Sequence, residues 1–355
     1  MTKDSLKLVE HLLALPQYSL KKEEKEELFL KEISLLTEHH LSCSTSYAKI
    51  FSHLNLLRPP YHQLAKVPFL PINVFKEIEL LSIPSEKIYK TLLSSGTTAT
   101  IPSKIFLDAE TARLQTQTLA SLMTHFLGEK RLPLLIVDSE NLFKDPSKFS
   151  ARGAGVLGMM NFGRDPFYLL DNEESVRHKE LMAWLQKYED EPLLIFGFTF
   201  MIWKYLFQLK LKLPKGILMH TGGWKKLQDQ SVSQEQFKKL ASENLGVQRC
   251  HNFYGMAEQV GSVFIECEKG YLHAPHTSEV IIRDPKKWQE AKIGEEGVIE
   301  VLSLLPRSYP GHALLTEDLG ISFGNDVCQC ERRGQIFKIT RRVPKAEPRG
   351  CSDAV

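Results

Sequence analysis

The pattern of this chain predicts an α/β fold: layered, largely parallel strands with helices between them, closed by a smaller β-rich portion. Three observations carry that expectation. Beyond Val74, short apolar runs alternate with amphipathic stretches, the order that lays helices over a mostly parallel sheet. Several of these runs empty into loops carrying glycine with hydroxyl, aromatic or acidic residues. After Ser278 the helical pattern stops and only strand-like runs remain. Of the 355 residues, 43% are hydrophobic and 25% charged, ordinary for a chain that buries a real core. Forty-five Lys and Arg against 43 Asp and Glu leave a net charge of +2, which excludes intrinsic disorder. It also gives no electrostatic case for nucleic acid or an anionic membrane as partner. The start, MTKDSLKLVEHLL, lacks the basic flank and apolar run of a signal peptide. The most apolar stretch, PLLIFGFTFMIW at 192–203, is about half as long as a spanning helix requires. The expectation is a soluble cytoplasmic protein with no transmembrane segment.

Taken in order, residues 1–72 read as a helical portion, with Leu28, Leu30, Ile33, Leu35 and Leu36 forming a stripe among charges at 21–40. RPPYHQLAKVPFLP at 58–71 has four prolines and reads as an extended connection. Strands are expected at 87–93, 134–137, 193–196, 216–219, 247–253 and 260–265. Helices are expected at 109–126, 173–188, 200–211 and 233–244. EVIIRD, GVIEVLS and QIFKIT then supply the strands of a β-rich subdomain at 278–343. No internal repeat, GxxxxGK[ST] or HExxH occurs.

Five segments hold chemistry-bearing residues. In TLLSSGTTATIPSKIFLD an apolar run enters Ser94, Ser95, Gly96, Thr97 and Thr98, with Lys104 beyond. Hydroxyls and backbone N–H groups around a glycine form either an anion cradle for phosphate or a plain turn. LMHTGGWKK leaves a strand through Gly222 and Gly223, where bare backbone lets a flat ligand approach, or simply turns. CHNFYGMAEQVG puts Tyr254, Gly255 and Glu258 just after a strand, the ligand side of an open α/β sheet. A carboxylate there suits Mg2+ on nucleotide phosphates. In LLTEDLG, Asp318 offers a carboxylate to two ribose hydroxyls. FKITRRVPKAEPRGC is basic and turn-rich.

Together, in this order, these segments resemble the adenylate-forming, acyl-activating superfamily over most of the chain. SSGTT is similar to its phosphate loop, TGG to its adenine loop, YGMAE to its YGxTE motif, TED to TGD, and the Arg342 region to the GR before the interdomain hinge. More narrowly, PFLPINVFK at 68–76, HTGGWKK, YGMAE and the terminal RGCS resemble the LuxE-type acyl-protein synthetases. The resemblance implies the large adenylating domain of that superfamily over 1–343, with the C-terminal lid domain essentially absent and a short hinge-derived tail at 344–355. It implies ATP and Mg2+ as cofactors and a carboxylic, expectedly fatty, acid as substrate. Ser94, Ser95, Gly96, Thr97 and Thr98 would hold the ATP phosphates. Gly222, Gly223, Tyr254 and Gly255 would border the nucleotide, Glu258 would carry magnesium, and Asp318 and Arg342 would bind ribose and nucleotide. Cys351 in RGCS would accept the acyl group as a thioester before transfer to a partner such as a reductase, and Arg349 beside it favours the thiolate. The alternatives are a CoA or carrier-protein ligase using an external thiol, and a non-catalytic assembly subunit that kept the fold.

Several positions depart from the superfamily pattern. Ala257 replaces the threonine of YGxTE, Glu317 the glycine of TGD, Arg341 the glycine before Arg342, and Ala99 the glycine after the two threonines. Lys225 or Lys226 is placed to neutralise phosphate in the absence of a lid lysine, or else starts a solvated helix. PLLIFGFTFMIW and GAGVLGMMNFG at 153–163 are candidates to line the acyl group, or are core. Of six cysteines, Cys43 and Cys250 read as structural. Cys267 and His273 in ECEKGYLH, with Cys328 and Cys330 in a CxC, have the composition of a structural Zn2+ site. Their spacing is unusual, because CxC is tight and 54 residues separate the pairs. Free thiols are the other reading.

Overall fold

A computed structural model describes residues 3–94, 102–143 and 151–343. Its strands are β1 (Leu70–Pro71), β2 (Lys90–Leu93), β3 (Lys104–Leu107), β4 (Leu132–Ser139), β5 (Gly163–Leu170), β6 (Leu193–Phe198) and β7 (Gly216–Thr221). They continue as β8 (Arg249–Gly255), β9 (Val263–Glu266), β10 (Leu272–His273), β11 (Ser278–Arg283), β12 (Glu296–Ser303), β13 (Ala313–Asn325) and β14 (Gln335–Arg342). β2 and β3 form a separate antiparallel hairpin, and the others make one twelve-stranded sheet.

The parallel half runs in the order β8-β7-β6-β4-β5. β4 and β6 are buried along their whole length, which is why LPLLIV and LLIFGF read as continuous apolar runs and do not alternate. Helices Ala109–Leu127, His178–Lys187 and Gln234–Leu245 connect or cover these strands. Asp108 caps the first by accepting from Thr111 N, and Ser233 caps the last by accepting from Gln236 N.

The β-rich portion extends the same sheet through β8-β9-β10-β14-β13-β12-β11, with antiparallel neighbours. Its link is β10, only two residues long. On a flat sheet the four spacings from β8 to β13 would span about 19 Å, yet Tyr254 in β8 hydrogen-bonds Asp318 in β13. The sheet therefore folds over at β10, and Phe264 and Phe337 pack edge to face 5.2 Å apart inside the bend. The N-terminal helices Lys3–Ala14, Lys22–Cys43 and Thr45–His53 are fastened to this part by buried charge. Lys25 pairs with Glu279, and Arg307 with Glu32 at 2.8 Å.

Some expectations shift. The helix expected from 173 begins at His178. The one expected at 200–211 is a helical turn Thr199–Met201, then π-helix Ile202–Leu206, then 3-10 turn Phe207–Leu209. Its run of aromatics is a poor α-helix former, and the widened turn buries Met201, Ile202, Leu206 and Phe207 together. The strand expected at 260–265 starts at Val263. β13 is thirteen residues long and escapes sequence reading because polar Thr316, Glu317 and Asp318 sit within it. The segment at 153–163 spans most of helix Ala151–Met160, a short turn and the first residue of β5. Cys250 is buried, but Cys43 is exposed at the end of its helix, its Sγ 3.6 Å from His39 Nδ1. No helix among the described residues is long and apolar enough to cross a membrane.

Candidate active site at the strand ends

Because β6, β7 and β8 are parallel neighbours, Phe198, Thr221 and Gly255 end them on the same edge of the sheet, where such sheets receive ligands. Thr221 Oγ1 donates to Phe253 O at 2.9 Å, tying two of these ends together. Gly222 then turns with φ +80°, and a Cβ there would lie 2.9 Å from the Phe198 ring, so the backbone lies directly against the aromatic face. Gly223 is exposed with no atom within 4 Å of where a Cβ would stand. Lys225 and Lys226 open the 3-10 segment Lys225–Gln230, and their side chains lie outside what the structure describes.

Beneath the glycine pair runs a buried network that sequence reasoning missed. Thr199 Oγ1 lies 2.9 Å from His220 Nδ1 and donates to Thr221 O at 3.2 Å. Gln234 Nε2 sits 3.0 Å from His220 Nε2 and 2.9 Å from Glu266 Oε2. With the amide donating to both, His220 accepts at Nε2 and donates from Nδ1 to Thr199, an assignment fixed by the partners. Burial, then Lys238, pushes His220 down to about 3, so the ring stays neutral and the chain stays intact. No local string signals this network, since its members come from four separate elements.

Beyond β8, Glu258 is 4% exposed. Its carboxylate has no hydrogen-bond or ion-pair partner among the described residues. The next side chain, Gln259, is buried and donates to Val301 O at 2.8 Å and Gly311 O at 3.0 Å. Tyr309 Oη accepts from Val260 N at 3.2 Å. Gly261, at φ +78°, lets this loop touch Leu305 and Gln115, where a Cβ would fall 2.6 Å from Leu305 Cδ1. A rigidly held loop thus presents a nearly buried, unpaired carboxylate. A carboxylate with free acceptor sites in this position is the kind of hard oxygen donor that fits Mg2+.

Tyr254, Asp318 and Arg342 converge as the sequence implied. The Tyr254 hydroxyl donates to Asp318 Oδ2 at 2.8 Å and Arg342 Nε donates to Oδ1 at 3.3 Å. Asp318 and Arg342 are register partners across β13 and β14. Burial, then the Asp318 carboxylate, hold the Tyr254 phenol well above its ordinary range, so it remains a donor. Glu317, at the glycine position of TGD, has a place here. Its Oε1 accepts from Asn73 Nδ2 at 2.6 Å and its Oε2 lies 3.6 Å from Arg342 Nη2. Asn73 belongs to the PFLPINVFK segment. That segment therefore meets β13 through the very residue that departs from the pattern. Arg341 points elsewhere, to Glu296 at 2.7 Å.

Ser94 sits at the mouth of the β2–β3 hairpin. Its N–H donates to Ser103 O at 3.0 Å and its Oγ accepts from Ser103 N at 2.9 Å, which leaves the Ser94 O–H to donate outward. Ser103 Oγ, which the sequence did not single out, is buried without a partner. Ser95, Gly96, Thr97, Thr98 and Cys351 lie outside the described residues. Lys104 is held by Glu79 at 3.0 Å on β3. Of the candidate acyl-lining stretches, residues 193–198 are fully buried core. Gly155 nevertheless faces Phe198 and Phe196, so the two stretches do meet. Cys267, His273, Cys328 and Cys330 form a second cluster away from this rim, with all ligand atoms within 4.8 Å of one another.

The fold is shared with solved acid–CoA ligases. A structure of 2-hydroxyisobutyryl-CoA ligase in an open conformation, holding 2-HIB-AMP and CoA, superposes with TM-score 0.69. Identity is 16%, covering 94% of this chain and 79% of that one. The same ligase in its postadenylation state gives TM-score 0.68 at 15% identity, covering 94% and 72%. Among curated proteins, the long-chain-fatty-acid–luciferin-component ligase of Aliivibrio fischeri is 22% identical over 314 residues, 82% of this chain and 78% of that protein. The protein of the same description from Vibrio harveyi is 21% identical over 351 residues, 95% and 89% of the two chains. The family described as acyl-protein synthetase, LuxE, matches residues 5–355. With nearly the whole chain matched, this protein belongs to the LuxE acyl-protein synthetase family.

Proposed function

We propose that this protein activates a carboxylic acid, of the fatty class, with ATP and then carries the acyl group as a thioester on Cys351 in the cytoplasm. The observation that carries the reading is the rim itself. Glu258, Tyr254, Asp318 and Arg342 occupy the strand-end edge in a chain matched by its family over residues 5–355. A carboxylate is a poor acyl donor because its charge repels nucleophiles. Its oxygen attacks the α-phosphorus of ATP, the bond to the β-phosphate oxygen breaks, and pyrophosphate leaves with the electron pair. The Cys351 thiolate then attacks the acyl carbon of the mixed anhydride, and AMP departs. Transfer to a protein acceptor, of which a reductase is the expected kind, returns the thiol.

The chain's part in the first step is positioning and charge stabilisation. Asp318 retains acceptor capacity for ribose hydroxyls beyond Tyr254 and Arg342, since each carboxylate oxygen takes two donors. Gly222 and Gly223 give the adenine ring bare backbone beside Phe198. The Ser94–Thr98 loop, with Ser103 at its base, offers hydroxyls to phosphate, and Lys225 or Lys226 adds a cation. Glu258 holds magnesium, which when bound neutralises developing phosphate charge. The seam between Gly155 and Phe198 points the acyl chain into the apolar layer.

An ATP–pyrophosphate exchange screen over fatty, aromatic and amino acids, with mass spectrometry of the Cys351 peptide, tests this. Fatty acids should stimulate exchange and label Cys351, and Cys351→Ser should keep exchange while losing the label. Label that persists in Cys351→Ser sinks the acceptor role. CoA-dependent turnover by that variant would move the reading to an external-thiol ligase. Silence with every acid would leave a non-catalytic assembly subunit.

A further inference from the structure

The cluster of Cys267, His273, Cys328 and Cys330 lies at the closed end of the β13–β14 hairpin. Its register runs from Asp318 opposite Arg342 to Asn325 opposite Gln335, so about 23 Å of strand separates the two ends. Each half of the cluster sits on a turn closed by its own backbone. Cys267 N donates to Tyr271 O at 2.8 Å and Gly270 N to Cys267 O at 3.0 Å, in the turn between β9 and β10. Glu331 N donates to Cys328 O at 3.1 Å. Asp326 and Gly334 clasp the base of that second turn through Asp326 N to Gly334 O, at 3.0 Å, and Gly334 N to Asp326 Oδ1, at 2.7 Å.

The spacing between donor atoms is that of a metal shell. Cys267 Sγ and Cys328 Sγ are 3.8 Å apart, and Cys330 Sγ and His273 Nε2 are 3.3 Å apart. Tetrahedral angles with Zn–S near 2.3 Å and Zn–N near 2.0–2.1 Å put two sulfurs about 3.8 Å apart and a sulfur and nitrogen about 3.5 Å apart. A disulfide needs sulfurs about 2.05 Å apart, and buried cysteines acting only as small hydrophobes have no reason to converge on one point with an imidazole. Three soft sulfurs and one imidazole in this arrangement select zinc over magnesium or calcium.

The surroundings fit a buried cross-link. Arg332, between the second turn and β14, donates to both oxygens of Glu268 at 2.6 and 3.3 Å, next to Cys267 in sequence. It also stacks over the Phe126 ring, 4.6 Å from its centroid. Tyr18 meets His273 edge-on at 5.7 Å, and its carbonyl accepts from Arg333 N at 2.9 Å. Lys22 N donates to Asp326 Oδ2 at 3.0 Å. The N-terminal helical segment, the β9–β10 turn and the β13–β14 turn thus meet around the four donors.

We propose that Cys267, His273, Cys328 and Cys330 bind one Zn2+ in a closed, four-coordinate structural site that staples the β9–β10 turn to the β13–β14 turn, with the N-terminal segment packed against it. With four protein ligands it has no open position for substrate. The tight CxC suffices because the turn beginning at Cys328 aims both of its sulfurs inward.

The test is metal analysis of the full-length protein, purified without chelators. The expected result is about one zinc per chain that survives dialysis and is released in step with modification of three thiols. Replacement by Co2+ should give sulfur-to-cobalt charge-transfer absorption and tetrahedral d–d bands. Cys328→Ser should lose the metal at least tenfold more readily, while Cys43→Ser, altering an exposed thiol outside the cluster, should keep it. Should Cys328→Ser fail to fold, the wild-type zinc content and cobalt spectrum still decide. Protein without zinc that gives no cobalt–thiolate band overturns the site, as does stoichiometric iron, or a Cys267–Cys328 disulfide in fresh metal-free protein. None of these readouts depends on ATP or an acid, so the site stands or falls separately from the adenylation reading.

Discussion

At the Asp318 end of the β13–β14 hairpin, polar side chains are spread along a rim and keep unused capacity, whereas at the turn end four donors face one another. Glu258 is nearly buried without a partner, and Asp318 can accept more than Tyr254 and Arg342 supply. Cys267, His273, Cys328 and Cys330 instead hold their ligand atoms within 4.8 Å of one another. The two ends of one hairpin therefore border a divergent set, suited to a ligand larger than an ion, and a convergent set, suited to an ion alone. The first kind trades stability for binding. The second adds stability and does no chemistry.

Glu258→Gln gives the largest separation between the two. Removing the charge should lower ATP–pyrophosphate exchange by about 10²–10³-fold, the range seen when one electrostatic stabiliser is lost. Thermal stability should change little, because the carboxylate makes no hydrogen bond or ion pair among the described residues that the amide would lose. A matching fall in melting temperature would place Glu258 with the structural cluster and break the comparison.

Asp318→Asn comes next. The amide still accepts from Tyr254 but loses the charge that holds Arg342 and favours ribose donors. About a tenfold rise in KM for ATP is expected, equivalent to about 1.4 kcal/mol, with KM for the acid little changed. An equal rise in both constants would mean that the substitution distorts the strand pair and leaves nucleotide recognition itself untouched.

These residues could be singled out in the sequence because each sits in a short string beside a strand end or on a strand. YGMAE follows β8, TGG follows β7, and Asp318 and Arg342 lie on adjacent strands. The metal-type cluster was legible as composition, though its halves meet only because the fold over at β10 brings distant turns together. What stayed hidden depends on tertiary pairing. Asn73 and Glu317 touch across 244 positions, so the Glu317 departure from the superfamily pattern is a contact with the PFLPINVFK segment that no local string reveals. The His220 network draws Thr199, Gln234 and Glu266 from separate elements, and none of them stands in a recognisable motif. Cys43 read as structural because free cysteine is among the residue types most often buried. It falls instead at the last turn, where the helix meets solvent.

Tyr254→Phe tests whether the rim acts as a unit, and its effect is the smallest. The ring stays, so its packing against Phe264, at 6.2 Å between centroids, is kept and no cavity opens. What disappears is one hydrogen bond to Asp318, about 0.5–1.5 kcal/mol, or between twofold and tenfold in KM for ATP, with kcat unchanged. The phenol touches the nucleotide site through the carboxylate, so the penalty should shrink once Asp318 is already asparagine. A double-mutant cycle with Asp318→Asn measures that coupling. Strict additivity would mean that Tyr254 reaches the nucleotide by itself, and the rim would then be two independent binding groups. Non-additivity near 1 kcal/mol would show Asp318 held in place by its tyrosine before any ligand arrives.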